Sequence, residues 1–247
     1  MIQCIFKENC RNSSLIHLQP KLFFLRMNRI FFVLLALVLW SQVSISQQAN
    51  PPFWNDIQAF KKQDSAQQPS TGAILFIGSS SFTNWRDVQT YFPDRTIINR
   101  GFGGSSLPHL ILYADDLIDP YQPRQIVIYC GENDLAASDT VSAQTVVSRF
   151  QQLFGIIRAK QPKVPVVFIS IKPSPSRQHL MPKMVEANEA IKKFLKKQRN
   201  TQYVDVYHLM LMPGGQPREE LFVGDRLHMN AQGYAIWQKA LQPVLKK

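Results

Sequence analysis

The chain is sparing with cysteine. It has three in 247 residues, and Cys4 and Cys10 both precede the end of a segment patterned like an export signal. Only Cys130 remains beyond it, which excludes an intramolecular disulfide framework in the body of the protein. Cys130 ends an apolar run and reads as a small buried hydrophobe. Nowhere do Cys and His recur at metal-ligand spacing, so no metal ligand is assigned and no cofactor is expected. Charge is scarce too: 18% of residues are charged against 45% hydrophobic, the balance of a globular chain. The formal charge is +11, but residues 1–46 hold five basic groups and one acidic group, so about +7 belongs to the rest. Spread over a surface, such a surplus aids solubility, and no nucleic-acid partner is expected from it. Internal repeats are absent. Residues 30–40 form an apolar run of eleven, short of the roughly 18–20 that span a bilayer.

That run follows Met27-Asn28-Arg29 and precedes small residues at Ser44 and Ser46. A positive charge, a short apolar core and small residues before Gln47 make an export signal cleaved near Ser46. Residues 1–46 are therefore read as an N-terminal extension and signal peptide, the signal proper starting at about residue 27. Met27 is the better start, with residues 1–26 an upstream over-extension of the reading frame. The expected location is periplasmic or extracellular, and a membrane is a partner only if the signal stays uncleaved. Residues 47–247 suffice for one α/β domain with a sizeable core. Oligomeric state has no signature.

Within that domain, short runs rich in Ile, Val and Phe alternate with helical periodicity. Strands are expected at 73–77, 96–99, 125–130, 164–170 and 203–206. The spacing predicts helices at 53–60, 106–117, 142–159, 183–198 and 230–245, with a Gln/Pro/Ser-rich loop at 64–72. In the helix at 142–159, Val146, Val147, Phe150, Leu153, Phe154 and Ile157 make the inward stripe. Met184, Ala187, Ile191 and Leu195 do so in the next, whose Lys192, Lys193, Lys196, Lys197 and Arg199 read as a solvated face. Asn230 suits an N-cap of the last helix. Strands alternating with helices predict one parallel sheet covered on both sides.

Four blocks carry chemistry, and all fall beyond the carboxyl ends of strands or in the loop before the last helix, where such sheets gather active groups. Gly78-Ser79-Ser80-Ser81-Phe82 follows the first strand. The turn Gly101-Phe102-Gly103-Gly104-Ser105 follows the second, and Gly131-Glu132-Asn133-Asp134 follows the third. Asp225-Arg226-Leu227-His228 precedes the last helix. A serine hydroxyl becomes a nucleophile when an imidazole takes its proton, and His228 can do so while Asp225 fixes its tautomer. Backbone N–H groups of a glycine turn and the Asn133 amide can serve a tetrahedral oxyanion. A second Gly-x-Ser, at Gly104-Ser105-Ser106, reads as a plain turn. His109, His179 and His208 read as surface or structural histidines without a matching acid-and-serine context, and Asp134 as a brace for its turn. Trp85, Phe82, Met181 and Phe222 are more often core than acyl pocket.

These blocks resemble those of the SGNH or GDSL-like hydrolases over roughly residues 53–245. The resemblance implies a single-domain, three-layer α/β/α fold of the flavodoxin-like type around a central, mostly parallel five-stranded sheet. It also implies Ser80 as nucleophile, Asp225 and His228 as its partners, and Ser80, Gly104 and Asn133 as oxyanion donors. Ser79 stands where the family usually has Asp, which leaves Ser79, Ser80 and Ser81 as rivals, with alignment from Gly78 favouring Ser80. Phe82 replaces the second glycine of a Gly-x-Ser-x-Gly elbow, so the α/β-hydrolase motif is not met. The implied activity is carboxylic-ester hydrolysis through an acyl-serine. Lack of a long apolar insertion favours short acyl groups such as acetyl, and an acylated carbohydrate is one expected substrate. An O-acyltransferase, or a non-catalytic carbohydrate- or lipid-binding descendant, is the alternative.

Overall fold

Apolar runs bounded by turn residues become the three central strands, which are buried along their whole length, while the two edge strands stay partly open. The computed structural model describes residues 49–247. The expected export signal and its cleavage point lie outside the described residues. Helix α1 (Trp54–Ala66) leads to β1 (Ile74–Gly78), the one-turn helices α2 (Ser80–Thr83) and α3 (Val88–Tyr91), and β2 (Ile97–Gly101). Helices α4 (Leu107–Leu112) and α5 (Ala114–Ile118) precede β3 (Gln125–Tyr129), and α6 (Glu132–Ala136) and α7 (Ala143–Lys160) precede β4 (Val166–Ile169). Then come a 3₁₀ turn at Pro175–Leu180, α8 (Met181–Leu195), β5 (Thr201–Val204) and, after two further 3₁₀ turns, α9 (Ala231–Leu241).

The strands lie in the order β2-β1-β3-β4-β5, and every pairing is parallel. Side-chain alternation splits β1: Leu75 and Ile77 join one core, Ile74 and Phe76 the other. Helices α1, α4, α5, α7 and α8 close the first face, through residues such as Ile57, Leu110, Leu117, Phe150 and Ile191. Phe82, Val88 and the α9 pair Tyr234 and Trp237 close the second. This is the three-layer fold expected, with a sheet that is wholly rather than mostly parallel. Chain order reverses at β1, whose neighbours are β2 and β3, so the switch point at which such sheets place their active groups lies beyond the carboxyl ends of these strands. Close approach there requires Gly78, since a Cβ on it would lie 2.1 Å from the Tyr129 carbonyl oxygen. The outer edge of β2 is blunted by side chains: Ile97 N–H donates to Gln89 Oε1 and Gly101 N–H to Asn99 Oδ1.

Two expectations need correction. The helix at 106–117 is broken at Tyr113 (φ −105°, ψ 20°), whose buried ring reaches over to donate a hydrogen bond to the Pro52 carbonyl at 2.7 Å. Polar residues 64–66, read as loop, instead finish α1. Asp64 is held there by Arg100 and the Tyr121 hydroxyl, partners far off in sequence.

Candidate active site

Ser80 opens α2 immediately after β1, so its backbone N–H is among the donors that a helix start leaves without an intrahelical acceptor. Of the three rival serines, Ser79 is 4% and Ser81 2% exposed, while Ser80 is partly open. Ser81 faces inward, its carbonyl accepting from the Tyr234 hydroxyl at 2.9 Å. Ser80 Oγ alone among them meets an imidazole, His228 Nε2, at 2.9 Å.

His228 is presented by a tight turn. Arg226 takes a left-handed backbone (φ 59°), which folds the Asp225 carboxylate back over the chain. Asp225 Oδ1 accepts the N–H groups of Leu227 and His228, each at 2.9 Å. Asp225 Oδ2 lies 2.6 Å from His228 Nδ1. A carboxylate only accepts, so Nδ1 carries the proton and Nε2 is left bare toward Ser80. Partial burial pushes the Asp225 carboxyl up, but the hydrogen bonds from His228 and Leu227 and the charge of His228 outweigh it, lowering it to about 2. Asp225 is thus ionised at neutral pH.

The glycine turn lies beside the serine: a Cβ added to Gly103 would meet Ser80 Cβ at 3.9 Å. Gly104 adopts φ +82°, a left-handed conformation that glycine accepts without strain. The turn is tied to the end of β1, because Phe102 N–H and the Ser105 hydroxyl both donate to the Gly78 carbonyl. Ser105, the middle residue of the second Gly-x-Ser, is fully buried in that role, while its serine, Ser106, lies 2.9 Å through Oγ from His109 Nδ1. Asn133, in the first turn of α6, donates through Nδ2 to the Ser105 carbonyl at 2.9 Å and accepts at Oδ1 from Arg177 at 2.9 Å. An amide NH2 carries two protons, so one remains for another acceptor. Asp134 does brace this region: its carboxylate accepts from Leu107 N–H at 2.9 Å and Arg149 at 2.8 Å, joining α6 to α4 and α7.

Beneath these groups lies a buried charge cluster that the sequence reading missed. Lys172, 1% exposed, donates to Glu132 Oε2 at 2.9 Å, Glu132 Oε1 at 3.2 Å and the Leu227 carbonyl at 2.9 Å. Glu132 also receives the Tyr129 hydroxyl at 2.7 Å and the Ser174 hydroxyl at 3.3 Å. Burial pushes the Glu132 carboxyl up, yet Lys172, Arg177 and the hydrogen bonds hold it below its ordinary value. Burial likewise lowers Lys172, against the pull of Glu132. The cluster joins the Asn133 element to the loop that carries His228. Its one sequence signal was a lysine three residues past a buried strand, with an acid beside Asn133.

The other histidines stay apart. His109 accepts at Nδ1 from Ser106 N–H at 3.1 Å in a capping box, against the Phe53 ring, and burial lowers it despite Asp134. His208 has an acid after all: Asp205 Oδ2 lies 2.8 Å from its Nδ1, repeating the Asp-x-x-His turn of the site. That pair faces solvent, and the hydroxyl of Ser80 belongs to His228. His179 is exposed in the 3₁₀ turn. Phe82, Trp85 and Phe222 are core, and Met181 packs against it. Buried Cys130 has its thiol pushed well up, mainly by burial.

A model of the GDSL-like lipase/acylhydrolase family matches residues 67–236. Platelet-activating factor acetylhydrolase IB subunit alpha2 of Rattus norvegicus is 24% identical over 185 residues, 70% of this chain and 75% of the relative. Among solved structures, a GDSL-like lipase from Bacteroides thetaiotaomicron superposes with TM-score 0.66 at 18% identity, over 76% of this chain and 95% of that one. A carbohydrate esterase family 3 protein from Talaromyces cellulolyticus does so with TM-score 0.54 at 14% identity, over 70% and 95%. The match runs from before β1 into α9 and so takes in all four motif blocks: the chain belongs to the GDSL-like lipase/acylhydrolase family, the SGNH type its motifs resemble, and is an ester-bond hydrolase.

Proposed function

We propose that this hydrolase acts on short-chain, acetyl-type carboxylic esters, acylated carbohydrates among them, through an acyl-serine on Ser80, after export. The observation that carries the mechanism is the series Ser80 Oγ, His228 Nε2, His228 Nδ1, Asp225 Oδ2, with contacts of 2.9 and 2.6 Å. Nε2 takes the hydroxyl proton as Oγ bonds to the ester carbonyl carbon, and the carbonyl electrons move to oxygen. That oxyanion is served by the backbone N–H groups of Ser80 and Gly104 and the spare Nδ2 proton of Asn133. Collapse breaks the bond to the alcohol, which leaves with the proton from Nε2. Water then repeats the steps on the acyl-serine, releasing the acid and restoring Ser80.

The short-acyl reading draws on two points and the carbohydrate reading on a third. Phe82, Trp85 and Phe222 are spent in the core rather than along a channel. The rat relative is named for acetylhydrolase activity, and one structural neighbour is a carbohydrate esterase. Kinetics on p-nitrophenyl acetate, butyrate and octanoate, with an acetylated xylo-oligosaccharide alongside, test it. Acetate should lead, with kcat/KM falling roughly tenfold or more by octanoate. A maximum at octanoate would overturn the acyl preference, and an inert acetylated sugar would remove carbohydrate from the substrate class.

A further inference from the structure

Arg177 occupies an unusual place for a cation in a loop. It stands inside the 3₁₀ turn Pro175–Leu180 with non-helical backbone angles (φ −117°, ψ 27°). Its neighbour Ser176 is fastened to the His228 loop, donating through both N–H and hydroxyl to the Arg226 carbonyl at 3.1 and 3.0 Å. The guanidinium turns inward: Nη1 donates to Asn133 Oδ1 at 2.9 Å and lies 3.4 Å from Glu132 Oε1.

A primary amide can occupy the same space in two orientations, with its oxygen and NH2 exchanged. Guanidinium only donates and the Ser105 carbonyl only accepts, so the Asn133 amide satisfies both in one orientation alone. In that orientation one Nδ2 proton is used by Ser105 and the other is left over. A charged donor on Oδ1 also draws electron density from the amide nitrogen, which strengthens the remaining N–H as a donor. Glu132 holds the guanidinium at that same nitrogen, and Lys172 pairs with Glu132 in turn.

We propose that Arg177 is a positioning residue for acyl transfer: it fixes the Asn133 amide so that its free N–H faces the oxyanion on Ser80. The inference rests on the acyl-serine reading with Asn133 as an oxyanion donor. Both contacts run through the single nitrogen Nη1, so the role needs a cationic donor and not the guanidinium fork.

The test is a double-mutant cycle on kcat and KM with p-nitrophenyl acetate, using Arg177→Met, Arg177→Lys, Asn133→Ala and the Met/Ala pair, each checked for native circular dichroism. Arg177→Met should lower kcat about tenfold, part of the roughly 10²–10³-fold lost when a donor is removed outright, and leave KM within about twofold. Arg177→Lys, which keeps the donor and is the milder change should the Met variant not fold, should recover most of that loss. In the Asn133→Ala background, Arg177→Met should change kcat less than about twofold, because the group it orients is gone. Multiplicative effects in the pair, or a raised KM with kcat unchanged, would overturn the inference and place Arg177 on the substrate or in the fold alone. If Asn133→Ala kept full kcat, the oxyanion reading itself would fall, and the inference with it.

Discussion

Lys172→Met is the perturbation whose cost the structure defines best. All three ammonium donations are spoken for, on Glu132 Oε1, Glu132 Oε2 and the Leu227 carbonyl. Lys172 is 1% exposed and Glu132 5%, so water cannot replace the partner that is lost. Methionine fits the space but leaves a buried carboxylate whose remaining cation, Arg177, is 3.4 Å away. Breaking a buried pair by removing one member costs about 3–5 kcal/mol. For a domain of this size that lowers Tm by about 6–20 °C. Urea and thermal unfolding followed at 222 nm measure it. Glu132→Leu added to Lys172→Met should recover most of the loss, since neither charge is then buried. The sign of the pH dependence follows from the direction of Glu132. Its folded carboxyl is held below the ordinary value, so its contribution in the wild type is complete above about pH 4.3 and is lost as pH falls through the folded value. In the Met variant burial raises the same group, and protonation relieves it. The gap between the two proteins is therefore widest at neutral pH and narrows in acid. A loss below about 1 kcal/mol at pH 7, or a gap that widens in acid, would refute the reasoning.

Ser80→Ala should abolish ester hydrolysis with little change in Tm, whereas Ser79→Ala and Ser81→Ala should keep turnover; an inactive Ser79 or Ser81 variant beside an active Ser80→Ala would move the nucleophile. Asp225→Asn should cut kcat by about 10³–10⁴-fold through loss of tautomer control. Full turnover retained in that variant would show that Asp225 does not orient His228. N-terminal sequencing of protein from the outer compartment should begin near Gln47, and a product still carrying residues 30–40 would contradict export by cleavage.

Local patterns were legible from the sequence and distant pairings were not. Val146, Val147, Phe150, Leu153, Phe154 and Ile157 are all buried on α7, because a period set by helix geometry survives in one dimension. Ser80, Gly104, Asn133 and the Asp225–His228 pair could be picked out as candidates because each sits in a short motif beyond a strand or before α9. Alignment from Gly78 favoured Ser80 among three adjacent serines, and burial separates them, since Ser79 and Ser81 are turned inward. The Asp205–His208 pair shows the reverse problem: it repeats the spacing of the Asp225–His228 turn, and what sets it apart is that the Ser80 hydroxyl meets His228. Glu132, Lys172 and Arg177 escaped notice because Glu132 and Lys172 meet across 40 residues, and no local period predicts where a buried ion pair closes. Tyr113 broke a helix that the apolar spacing continued, for a hydrogen bond to a residue 61 positions earlier.

The central claim is that Ser80, activated by His228, carries the acyl group. Incubating the enzyme with a p-nitrophenyl phosphonate ester and mapping the adduct by peptide mass tests it most directly. Tetrahedral phosphorus is attacked by the activated hydroxyl and mimics the acyl-transfer intermediate, so the label marks the nucleophile itself. One equivalent of label on Ser80, released p-nitrophenol in step with lost activity, and labelling slowed by orders of magnitude in His228→Ala are the results expected. A label on Ser79, Ser81 or Ser105, or inactivation that proceeds equally fast without His228, would contradict the account.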